Sequence, residues 1–94
     1  MKEIMNAVID TFSVFGPNTS RVLMFHMERQ FGLKPDDIPA NPKLFHEILQ
    51  DLFGDYCHSL ELSIYRQVRN ANPSHNSEFI RYFERHALQE VKAA

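Results

Sequence analysis

The sequence predicts an all-α fold, a compact bundle of about five helices in a single domain. Three observations carry this. Apolar residues recur at three- and four-residue intervals in five separate runs. No alternation of period two persists for more than a few residues. Glycine, proline and clusters of turn-forming residues punctuate the runs at helix-length intervals.

Ile4, Val8, Phe12 and Phe15, supported by Met5 and Ile9, form the first run, which Gly16-Pro17 must end. Asn18 or Ser20 can cap a second helix reaching Phe31, with Met24, Met27 and Phe31 on one face, Leu23 bordering it, and Arg21, Glu28 and Arg29 on the polar side. Gly32 can close it. Pro35 and Pro39 push Lys34 and Ile38 toward extended geometry, so residues 34–39 are expected to be non-helical. Asn41-Pro42 reads as an N-cap followed by proline at the first helical position, where a missing N–H costs nothing. The third helix carries a wide stripe of Leu44, Phe45, Ile48, Leu49, Leu52 and Phe53, and Gly54 stops it. With Asp55 as cap, Cys57, Leu60, Glu61, Ile64, Tyr65 and Val68 trace a fourth helix after a very short turn. Residues 70–77 are almost all turn formers and read as a linker. Phe79, Ile80, Phe83, Ala87, Leu88 and Val91 then define a fifth helix. Residues 1–72 are thus read as a four-helix core, and 73–94 as a C-terminal helix packing on that core or across a dimer.

A chain of 94 residues with 44% apolar content, eight Phe and four Met can bury one thin core. No run approaches the ~20 apolar residues of a membrane span. The start, MKEIMNAVIDTF, places Glu3 and Asp10 within its apolar stretch and is unlike a signal peptide. A single cysteine excludes an intramolecular disulfide framework, so a cytoplasmic location is expected. The net charge of −2 makes no global case for nucleic acid or anionic membrane. It is unevenly spread: residues 1–65 hold five Lys/Arg against nine Asp/Glu, and residues 66–94 hold five against three.

Phe15-Gly16, Met27-Glu28, Phe31-Gly32-Leu33, Asp36-Asp37-Ile38-Pro39, Pro42, Phe45, Leu49, Leu52-Phe53-Gly54 and Leu60-Glu61 follow one another in an order that resembles the archaeal "Nitrosopumilus output domain" family. The resemblance spans about residues 8 to 68. It implies a small helical output module of archaeal signalling and regulatory proteins, and gives no catalytic residues to carry over. Tyr56-Cys57 stands where that family has Gly-Ala, and the fifth helix lies outside the matched part.

None of the five histidines forms His-x-x-x-His or follows a glutamate by three residues, and Cys57 has no companion thiol. No metal and no cofactor are therefore expected. His26 and His46 border apolar stripes and read as boundary histidines, while His58 and Glu61 read as a polar i, i+3 pair. Cys57 stands near a helix N-terminus, where a thiol can be activated, but a small buried residue is the blander account. Arg66, Arg69, Arg81 and Arg85 form paired basic positions on helices four and five with Tyr65, Tyr82 and Phe83 among them, the composition of a weak nucleic-acid face. Glu78 and Glu84 beside them favour a solvated, salt-bridged surface instead.

The aromatic count exceeds what one small core hides comfortably, so Phe79, Ile80, Phe83, Leu88 and Val91 are expected to offer a partner or dimer surface. The expected function is a non-enzymatic regulatory or signalling module that binds another protein, with homodimerisation in view and no membrane. The alternative is a small DNA- or RNA-binding regulator using Arg66, Arg69, Arg81 and Arg85.

Overall fold

Helical periodicity is realised along nearly the whole chain in the computed structural model, which describes the backbone of residues 2–93 and the side chains of residues 2–86. The helices are α1 (Lys2–Ser13), α2 (Thr19–Phe31), α3 (Pro42–Phe53), α4 (Cys57–Ala71) and α5 (Glu78–Ala93), with short 3-10 turns at Pro35–Asp37 and Gly54–Tyr56. There is no strand among the described residues. The Cα radius of gyration is 12.4 Å, close to the roughly 12 Å expected for a compact chain of this length.

α4 is the spine. One face buries Cys57, Leu60, Glu61, Ile64 and Val68, which are the stripe positions predicted apart from Tyr65, partly buried at its edge. α1 packs along α4 more extensively than any other pair of elements, burying Ile4, Ala7, Val8, Thr11 and Phe12. The buried Thr11 hydroxyl is satisfied: Gln67 donates to it at 2.9 Å, and Ser63 lies 3.3 Å away. α3 and α5 cover the rest of α4, and Phe45 meets Phe79 and Phe83 at centroid separations of 5.7 and 6.4 Å. α2 leans on α1, burying only Ser20 and Met27.

Gly32 ends α2 at φ 72°, a left-handed conformation that spares glycine a Cβ clash. Its N–H and that of Leu33 cap the carbonyls of Glu28 and Met27. Lys34 is extended as predicted, but Pro35–Asp37 closes a 3-10 turn and Ile38 is right-handed helical at φ −57°, ψ −48°. The steric bias of a residue before proline yields here because Ile38 is fully buried and its N–H reaches the Pro35 carbonyl. Asn41 precedes Pro42 as expected, yet its side chain does not cap α3; it donates back to the Asp37 carbonyl at 2.8 Å. Asp55 likewise does not cap α4, since the turn Gly54–Tyr56 consumes it and Tyr56 takes the N-cap position.

The surface predicted on α5 is corrected. Phe79, Ile80 and Phe83 have no exposed area: the linker folds α5 back so that this stripe completes the core on α3 and α4. They offer no dimer face. The side chains of Leu88 and Val91 lie outside the described residues.

Candidate functional site

Burying a carboxylate in a helical core is costly unless it is paired, so the 2% exposure of Glu61 marks the place where this fold departs from plain apolar packing. Glu61 lies on the inward face of α4, one turn after Cys57, because positions i and i+4 share a helix face. α3 crosses opposite and presents His46, next to Phe45 in its apolar stripe. His46 Nδ1 lies 2.6 Å from Glu61 Oε2, and the Cys57 thiol donates to Glu61 Oε1 at 3.4 Å. Cys57 Sγ is 3.9 Å from both His46 Nδ1 and the His46 carbonyl oxygen. The nitrogen, sulfur and oxygen donors of these three residues all lie within 4.8 Å of one another. They line a cavity of about 190 Å³ together with Gln50, Asp55 and His58.

The Glu61 carboxylate organises the site, holding the imidazole on one oxygen and the thiol on the other. A thiol nucleophile with a relay needs its imidazole between thiol and acid, one ring nitrogen facing each. Here thiol and acid address the same nitrogen, Nδ1, so the His46 ring does not stand between them. On the outer side the His46 ring packs near Tyr82 and His86, with centroids 6.0 and 6.4 Å away. Burial raises the Tyr82 phenol above its ordinary pKa, reinforced by the nearby carboxylates of Glu61 and Glu47.

No sequence spacing announced this trio. The expectation of no ligand set rested on separations along the chain, whereas His46 reaches Cys57 and Glu61 only through the packing of α3 on α4. One local signal existed: a glutamate at a buried phase of α4, with a cysteine four residues before it.

The four arginines do not form one face. Arg69 is a strut: its Nε donates to the Tyr65 hydroxyl at 3.3 Å, Nη1 to the carbonyls of Pro73 and His75 at 3.1 and 2.6 Å, and Nη2 to Glu84 at 3.3 Å. The Tyr65 hydroxyl hydrogen bond is the leading cause that holds its guanidinium pKa above the ordinary value. Arg69 therefore fixes the linker between α4 and α5 instead of offering a free cation. Arg81 and Arg85 are exposed and line a groove of about 780 Å³ with Lys43, against the acids Glu47 and Glu78. Arg66 is exposed on α4, outside that groove.

Several large apolar side chains are also exposed. On α2, Val22 is 63% and Phe25 64% exposed, and Arg29 stacks its guanidinium 5.6 Å from the Phe25 ring centroid. Val14 and Phe15, after α1, and Tyr56, before α4, are exposed as well. Among the described residues no helix is long and apolar enough to cross a membrane. The chain matches no protein-family model, no curated protein and no solved structure.

Proposed function

We propose that this chain is a non-enzymatic regulatory module that works by binding another protein, with the outward face of α2 as the docking surface. The observation that carries this reading is the exposure of Val22 and Phe25, two large apolar side chains three residues apart on the least embedded helix. Such residues cost solubility and contribute nothing to the core, and adjacent anchors of this type are what helix-in-groove recognition uses. Arg21 and Arg29 share that face, four residues to either side of Phe25, with Glu28 as the one acid there. The partner is accordingly an apolar segment flanked by acidic residues. A second copy fits less well, because two-fold pairing of α2 about Phe25 sets Arg21 of one copy against Arg29 of the other. The resemblance of about residues 8 to 68 to an output-domain family points the same way.

A photoreactive phenylalanine analogue placed at Phe25 should crosslink, in the native cytosol, to an acidic and apolar segment of one protein. The product should vanish when Arg21 and Arg29 are both changed to Glu. Crosslinking no different from that of the analogue at Asp51, an exposed position on α3, would overturn the reading. In the nucleic-acid alternative, Lys43, Arg81 and Arg85 would be the contacts. Retention on random duplex DNA that weakens steeply with salt, and is lost in Arg81→Ala/Arg85→Ala, would favour it.

A further inference from the structure

His46, Cys57 and Glu61 present to one point the donor set of a transition-metal site: a ring nitrogen, a sulfur and a carboxylate oxygen, all within 4.8 Å of one another. We propose that these three residues bind a single divalent, thiophilic metal ion of the zinc type, with the fourth coordination position open to the adjoining cavity. The proposal is independent of docking at α2.

Geometry supports it first. Zinc bonds of about 2.0–2.3 Å in a tetrahedron place donor atoms roughly 3.3–3.6 Å apart. Cys57 Sγ already stands 3.4 Å from Glu61 Oε1 and 3.9 Å from His46 Nδ1. The shorter 2.6 Å approach of Nδ1 to Oε2 is a hydrogen bond, the proton standing where the ion would hold both groups. A small turn of the carboxylate toward Oε1 opens that edge. All three ligands come from two packed helices, so the backbone need not move.

Charge supports it next. A thiolate and a carboxylate balance a divalent cation, so the loaded site is neutral in a place where Glu61 and Cys57 have 2% and 3% exposure. Binding releases the thiol proton. It also releases the imidazole proton where the His46–Glu61 pair is an ion pair; otherwise that proton moves to Nε2. One soft, one borderline and one hard ligand favour zinc over magnesium or calcium, which take oxygen sets. Three protein ligands beside a cavity of about 190 Å³ leave room for water or a small anionic ligand at the fourth position. Without a metal, the same contacts are a satisfied buried pair with a thiol donor, and the experiment must separate the two.

Cobalt(II) serves as the probe, added to the reduced, metal-stripped full chain. The expected result is saturation at one equivalent, visible bands of tetrahedral intensity and a thiolate-to-cobalt charge-transfer band, all removed by zinc. Cys57→Ser should abolish the charge-transfer band and weaken zinc binding about 100-fold, and His46→Gln or Glu61→Gln about tenfold or more, while His26→Gln changes nothing. A weak octahedral spectrum without the thiolate band in the wild-type chain overturns the proposal, even if no variant folds. Equal zinc affinity of wild type and Cys57→Ser also overturns it, by assigning the binding to other histidines.

Discussion

α2 and α5 are built from similar materials and end in opposite places. Each is rich in large apolar side chains, yet Phe79, Ile80 and Phe83 of α5 are wholly enclosed while Val22 and Phe25 of α2 face water. The difference is angular. Positions 79, 80 and 83 fall on one stripe, so a single neighbouring surface covers them all. On α2 the apolar residues run 22, 23, 24, 25, 27 and 31, more than one direction of packing can bury. α1 takes the Met27 side and the other side is left over. How apolar residues are phased around a helix, more than how many there are, decides which helix is core and which is surface.

The comparison can be broken by mutation, and the largest effect belongs to the core. Phe83→Ala should lower unfolding stability by about 3–5 kcal/mol, because it empties a site packed by Phe45, Phe79 and Tyr82. Val22→Ser and Phe25→Ser should each move it by only about 0.5 kcal/mol. Urea denaturation of the three variants reads this directly. Comparable losses at Phe25 and Phe83 would erase the distinction between the two helices.

Next in size is the buried pair. Glu61→Ala should cost about 1–3 kcal/mol, because it removes the carboxylate that the Cys57 thiol and the His46 ring nitrogen both address. His46 keeps 19% side-chain exposure through which water can relieve it, so the lower part of that range is expected. The double variant Glu61→Ala/His46→Leu should recover much of the loss, as a thermodynamic cycle would show. Arg69→Ala should cost roughly 1–3 kcal/mol by freeing two linker carbonyls and removing the bonds to the Tyr65 hydroxyl and the Glu84 carboxylate. Exchange of amides in residues 72–77 should speed up more than in α1.

The smallest effects are those of pH. Tyr82 has a raised phenol pKa in the folded chain, so its contribution is complete below the unfolded value near 10 and is lost as pH climbs through the folded value. Stability should therefore begin to fall near pH 10 and continue falling above it, and Tyr82→Phe should flatten that limb. Glu3 behaves oppositely. A backbone hydrogen bond and one from Asn72 lower its pKa, so its contribution is present above about 4.5 and is lost as pH drops further. Glu3→Gln should reduce the acid dependence of thermal melting.

Much of the fold was legible in single residues. The Pro42 start and Gly54 stop of α3, the Gly32 stop of α2 and the inward stripe of α4 all follow from local backbone chemistry and periodicity. What was illegible depended on tertiary packing. The burial of Phe79, Ile80 and Phe83 within the chain required knowing that six linker residues turn α5 back, with Arg69 bonded to two of their carbonyls. Ile38 violates its pre-proline preference because of a core position that sequence alone does not locate. In the candidate site, Cys57 and Glu61 share a visible helical spacing, but His46 joins them from another helix, eleven and fifteen residues away.

Hydroxyl-radical footprinting of the native chain at low concentration tests the contrast between α2 and α5 most directly, because one mass spectrum reports every phenylalanine at once. Phe25 should be oxidised at a rate approaching that of the unfolded chain, with Phe79 and Phe83 protected until the protein unfolds. Labelling of Phe83 as fast as Phe25, or protection of Phe25 equal to that of Phe83, would contradict the account.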